Sequence, residues 1–207
     1  MTDLPPDAGS TVLLEARHLA FAYPHRTLFE DLSFLVRPGL TLVRGGDGTG
    51  KSTLLRLMAG VQAPRAGSLR RPAGAPFFAD PADGRDDPLT VRQWLAARRA
   101  QHAGWDAALE QALIEGFALG EHVDKALFML STGSRRKAWL VAAFASGAPV
   151  VLLDTPFAAL DGPSRALLAE RLLEAAADPS RGWVVAEHEL PEALESVTLA
   201  GVIDLGE

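Results

Sequence analysis

The hydrophobic positions of this chain follow two rhythms, and their alternation sets out its elements. Residues 12–17, 28–36 and 40–43 crowd apolar, β-favouring side chains together, with Pro24 and Pro38-Gly39 as turns, and predict three strands. From Lys51 to Ala59 the spacing becomes helical (Leu54, Leu55, Leu57, Met58), and Gly60 closes the helix. Short strands are predicted at 67–70 and 75–79, followed by a polar loop at 80–88. Helical stretches follow at 90–101, with Thr90 as N-cap, at 105–119, after the break at Gly104, and at 134–146. Residues 150–153 and 183–186 are unbroken apolar runs, the pattern of strands buried on both faces of a parallel sheet. Between them, 163–177 predicts a helix with Pro163 in its first turn, and 197–205 reads as a closing hairpin. Strands alternating with helices predict an α/β core in one domain over 1–207, with a helical insertion at about 88–146.

Composition narrows the function classes. The chain has 207 residues, 48% hydrophobic and 22% charged, an ordinary globular profile. Its net charge of −6 argues against nucleic acid as a partner, because that requires a cationic footprint. There is no cysteine, so disulfides and thiolate metal sites are excluded, which fits a reducing compartment. Residues 1–10 lack a basic start and an apolar run, and read as a short tail with Pro5, Pro6 and Gly9 rather than a signal peptide. The most apolar stretch, 138–153, is broken by Gly147 and Pro149, so no direct membrane insertion is expected.

The chemistry enters at residues 45–52, Gly45-Gly46-Asp47-Gly48-Thr49-Gly50-Lys51-Ser52, a complete G-x-x-x-x-G-K-[ST] phosphate-binding loop. A glycine-rich turn could carry the same letters. Here, however, a strand precedes the loop and a helix starts at its end, the context that a phosphate site needs. The glycines let backbone N–H groups converge on phosphates, Lys51 would reach the β- and γ-phosphates, and Ser52 would hold Mg²⁺. Thr53 continues the helix start. Asp154 ends the apolar run 150–153 and is a second candidate Mg²⁺ ligand.

These motifs, in this order over nearly the whole chain, resemble the ATP-binding cassette (ABC) family, the ATPase subunits of ABC transporters. The resemblance implies a P-loop NTPase fold of the ABC type. An antiparallel β subdomain accompanies it, and a helical subdomain is inserted before the signature. Tyr23 stands where the family places an aromatic that stacks on adenine, a role suited to a π-face. Leu130-Ser131-Thr132-Gly133-Ser134 resembles the Leu-Ser-Gly-Gly-Gln signature, in which Ser131 and Gly133 would approach the phosphate of ATP on the opposite subunit. Asp161 matches the loop that crosses the dimer interface, and His188 matches the switch histidine that contacts the γ-phosphate. Arg135, Arg136 and Lys137 fall in the first turn of a predicted helix, where the dipole disfavours cations and an incoming anion would relieve the strain.

Three departures from the family pattern matter. Thr155 replaces the glutamate that polarises the attacking water, and a hydroxyl can only position water. Losing a general base costs about 10²- to 10⁴-fold in rate. Ala79 aligns with the Mg²⁺-sensing glutamine, in Phe77-Phe78-Ala79-Asp80-Pro81, and offers no ligand. Thr132 and Ser134 alter the signature. Glu187 adjoins His188, but strand alternation would turn the two to opposite faces, which argues against Glu187 as a substitute base.

Two readings follow. In the first, the chain is the MgATP-binding subunit of a transporter, paired head-to-tail with a second cassette (homodimer or heterodimer) to drive a separate integral membrane permease from the cytoplasmic face. Its compact size and spacing resemble the haem-exporter type of cassette. In the second, it is a hydrolysis-impaired cassette acting as a regulatory or structural partner of a competent ATPase.

Overall fold

Two sheets of opposite character organise the chain, seen in a computed structural model that describes residues 11–80 and 83–206. Pro81 and the tail at 1–10 lie outside the described residues. The first sheet is antiparallel, in the order β2-β1-β4, from β1 (Leu14–Tyr23), β2 (Arg26–Val36) and, later in the chain, β4 (Ala66–Arg70). The second has five strands in the order β5-β6-β7-β3-β8, built from β3 (Gly39–Arg44), β5 (Phe77–Phe78), β6 (Val150–Asp154), β7 (Gly182–Ala186) and β8 (Gly201–Asp204), with every pair parallel.

Period-two alternation divides the five-stranded sheet between two cores. Val150, Leu152, Val184 and Ala186 face a cluster shared with the apolar face of the antiparallel sheet and with α1 (Lys51–Ala59). Val151, Leu153, Trp183 and Val185 face the larger cluster, shared with α2 (Val91–Arg99), α3 (Ala107–Gly116), α4 (Thr132–Ala145) and α5 (Gly162–Ala176). Burial on both sides is why β6 and β7 are unbroken apolar runs. Each of these four later helices starts on a side-chain cap: Thr90, Asp106, Ser131 and Asp161 accept hydrogen bonds from backbone N–H groups of the first turn. At Thr90 the cap is a full capping box with Gln93.

Several boundaries differ from those read in the sequence. β1 runs on past residue 17 to Tyr23, because a bulge at His18 (φ 50°) shifts the alternation and Leu19 and Phe21 again point inward. Helix α4 begins at Thr132, two residues earlier than expected, because Ser131 rather than a later residue is its cap. The closing hairpin is not formed. Residues 201–204 make the single strand β8, parallel to β3 with Gly201 beside Thr41, and so extend the sheet at its edge. β5 shortens to two residues.

Because all five strands run the same way, β3, β6 and β7 deliver their C-terminal ends to one edge. The loops that leave them are 45–50, 155–161 and 187–190. In open parallel sheets this edge is where ligands bind. Among the described residues no helix is long and apolar enough to cross a membrane.

Candidate nucleotide-binding site

The loop between β3 and α1 is held open by its own glycines. Gly48 and Gly50 have φ of 76° and 107°, and a Cβ on Gly50 would lie 2.9 Å from the Phe29 ring. Gly50 is the N-cap of α1 and brings no side-chain acceptor, and no acid stands in the first turn. The positive end of the helix therefore faces the loop without a protein anion. Thr49 is buried and braces the loop from within, its Oγ1 donating to the Gly46 carbonyl at 3.0 Å. Lys51 Nζ donates to the carbonyls of Gly45 (2.6 Å) and Gly46 (2.9 Å). It thus lies across the loop it would share with a phosphate chain.

The cleft over this loop measures about 680 Å³, within the range of about 300–1,000 Å³ typical of small-ligand sites. Asp47, Gly48, Gly50, Lys51, Ser52 and Thr53 line it from the loop and α1. Tyr23 lines it from the end of β1. Its ring meets Phe21 edge-on at 5.2 Å, its hydroxyl is 3.1 Å from Thr53 Oγ1, and the residue stays 42% exposed. A tyrosine so fixed can offer a face to an aromatic ligand. Asp154, Thr155 and His188 close the opposite wall.

For Mg²⁺ the donor set fits. Ser52 and Asp154 line one cleft, and the Asp154 carboxylate accepts no hydrogen bond from a described residue. Among the described residues no group of three or more His, Cys, Asp or Glu is placed to hold a metal ion by itself. One hydroxyl and one carboxylate, with phosphates and waters completing the shell, suit an ion that keeps most of its water. Ala79 contributes nothing to it and packs partly buried against the larger core. Its neighbour Asp80 pairs with Arg56 (2.7 and 3.0 Å), tying that loop to α1.

Other sequence candidates lie outside this cleft. Ser131 caps α4 through Ser134 N at 3.1 Å, and Gly133 abuts the following loop so closely that a Cβ would stand 2.4 Å from the Ala159 carbonyl. Asp161 caps α5 through Ser164 N (2.9 Å) and pairs with Lys137 (2.6 Å). Lys137 and Ser164 hold its carboxyl far below the usual range. The first-turn cations of α4 are not a free patch, because each already has a partner. Arg135 reaches Asp87 at 3.0 Å, Arg136 reaches the carbonyls of Asp154 and Thr155, and Lys137 takes Asp161. The dipole penalty foreseen for them is met by protein acceptors.

Arg136 and Glu187 line the cleft, although sequence reasoning gave Arg136 only a place among first-turn cations and argued against Glu187. Arg136 is only 8% exposed, and burial lowers its pKa. Its signal was helical spacing: 136, 140 and 143 share the inward face of α4. Glu187 lines the same cleft as His188, against the expectation that they diverge. β7 ends at Ala186, so strand alternation no longer governs the two. Burial, foremost, pushes the Glu187 carboxyl up, and Asp154 adds to this, while Phe157 N–H, Arg136 and Arg165 act the other way.

Comparison with known proteins gives the same picture. Residues 29–158 match the ABC transporter family. A cytochrome c biogenesis ATP-binding export protein, CcmA, of Ruegeria pomeroyi is 35% identical over 158 residues, covering 76% of each chain. Its counterpart in Sphingopyxis alaskensis is 37% identical over 76% of this chain and 81% of its own. A solved ATP-binding subunit of an ABC transporter superposes with a TM-score of 0.70 at 25% identity, over 89% of this chain and 83% of the other.

Proposed function

This chain belongs to the ATP-binding subunits of ABC transporters, and from that membership we propose that it binds MgATP in the cleft over 45–52 and, paired head-to-tail with a second cassette, drives a separate membrane permease. The observation that carries this reading is the division of the motifs. Lys51, Asp154 and His188 share one cleft of about 680 Å³, while Ser131 and Gly133 of the same chain stand outside it. A cleft so built is completed by the signature of another cassette.

Each residue then has a task. Tyr23 offers its face to adenine. The open N-terminus of α1 and the glycine loop take the phosphate oxygens. Lys51 trades the Gly45 and Gly46 carbonyls for the β- and γ-phosphates. Ser52 and Asp154 would hold Mg²⁺, which neutralises charge on those phosphates. His188 donates a hydrogen bond to the γ-phosphate, and the loop ending at Asp161 meets the second cassette. The relatives' export role in cytochrome c biogenesis supports an exporter of that type here. Thr155 keeps a second reading in view, a cassette that binds nucleotide and turns it over slowly beside a competent partner.

The test is affinity purification of the tagged chain from detergent-solubilised membranes of its own host, with the co-purifying proteins identified. An integral membrane permease in stoichiometric amount supports the proposal, and a permease with a different cassette that alone accounts for the ATP turnover of the complex favours the second reading. A chain recovered alone, with MgATP present, contradicts the transporter role.

A further inference from the structure

The wall of the cleft around Thr155 holds a carboxylate other than the one the family pattern would place there. Thr155 itself is poorly set to act. Its backbone is left-handed (φ 43°), a conformation unfavourable for a β-branched residue, and Arg136 Nη1 lies 3.4 Å from its hydroxyl while also donating to its carbonyl. Thr155 N–H is spent on the Ala186 carbonyl at 2.9 Å, which stitches this loop to the end of β7. The residue after Ala186 is Glu187, whose own N–H is fixed on Val43 at 3.1 Å, next to the strand that feeds the phosphate loop. Its Oε1 accepts from Phe157 N at 3.3 Å, two residues beyond Thr155. The second carboxylate oxygen has no hydrogen-bond partner among the described residues, and the side chain lines the cleft with Asp154 and His188.

We propose that Glu187 is the catalytic carboxylate of this cassette, holding the attacking water at the γ-phosphate from the loop after β7, where the family pattern would hold it from the loop after β6. The step balances as a hydrolysis. The water oxygen bonds to the γ-phosphorus as the bond from that phosphorus to the bridging oxygen breaks. ADP leaves with that electron pair, and the proton lost by water passes to Glu187 and on to the released phosphate. Burial, with Asp154 adding to it, pushes the Glu187 carboxyl up toward a group able to take a proton, while the Phe157 N–H and the charges of Arg136 and Arg165 act the other way. This inference rests on the nucleotide-binding reading above.

The test uses the full chain and its Glu187→Gln and Glu187→Asp variants, with MgATP affinity and single-turnover hydrolysis measured separately. Glutamine keeps an oxygen for Phe157 N–H, so the loop is retained. The expected result is MgATP affinity within about threefold of wild type and a hydrolysis rate lower by about 10²- to 10⁴-fold for Glu187→Gln. Partial recovery of the rate is expected for Glu187→Asp, with MgATP affinity retained in both. A Glu187→Gln chain that binds MgATP and hydrolyses it at the wild-type rate overturns the proposal. So does a wild-type chain that, with its partner cassette present, binds MgATP and never turns it over. A wild-type chain that fails to bind MgATP at all removes the nucleotide reading itself, a distinct outcome.

Discussion

At the scale of single residues, motif and structure agree where a residue's task depends on its immediate neighbours. The places of Lys51 and Ser52 were legible because a glycine loop between strand and helix leaves them few other places to go, whereas Tyr23, at the end of β1, was found through the family resemblance. Glu187 was not, since the argument from alternation holds only inside a strand and β7 stops at Ala186. Asp161 combines an N-cap with an exposed ion pair to Lys137. Asp161→Ala is expected to lower stability, chiefly through loss of the cap. Denaturant unfolding measures it, and MgATP affinity of the single subunit should not change because Asp161 lies outside the cleft. His102 carries a pH signature. Burial, aided by Arg98 and Arg181, lowers its pKa from the unfolded value of 6.5. The unfolded chain thus binds more protons near that pH, and stability rises with pH. The denaturation midpoint should fall as pH drops through about 6.5, and His102→Gln should reduce that fall.

At the scale of elements, caps and apolar periods explain what was readable. α1, α2 and α5 end within two residues of their expected limits because Gly60, Thr90 and Pro163 are local signals. The length of β1 and the fate of 197–205 depend on distant partners. The His18 bulge is fixed by β2 and β4, and β8 exists only as an edge added beside β3. Gly67, on β4, shows how tight that bulge is. Its φ is 84°, and a Cβ there would stand 2.2 Å from the His18 carbonyl. Gly67→Ala is expected to destabilise by at least about 1–2 kcal/mol, lowering Tm by roughly 2–8 °C in a chain of this size. By comparison, Thr90→Ala removes a capping box whose loss costs about 1 kcal/mol. A thermal melt of each variant checks both values.

At the scale of the whole molecule, the parallel sheet explains why one edge carries the chemistry. Three strand ends bring the phosphate loop, Asp154 and His188 together, although more than a hundred residues separate the first from the last. The signature falls outside this cleft, as the proposed head-to-tail pairing with a second cassette requires. The central claim remains that the cleft grips MgATP through Lys51. Equilibrium titration of MgATP by calorimetry, on wild type and Lys51→Ala, tests it most directly. Loss of a charge-assisted hydrogen bond worth about 1.5–3 kcal/mol predicts saturable one-site binding in wild type, weakened roughly ten- to a hundredfold in Lys51→Ala with no change in Tm. Equal affinity in the two proteins, or no saturable binding in either, would contradict the account.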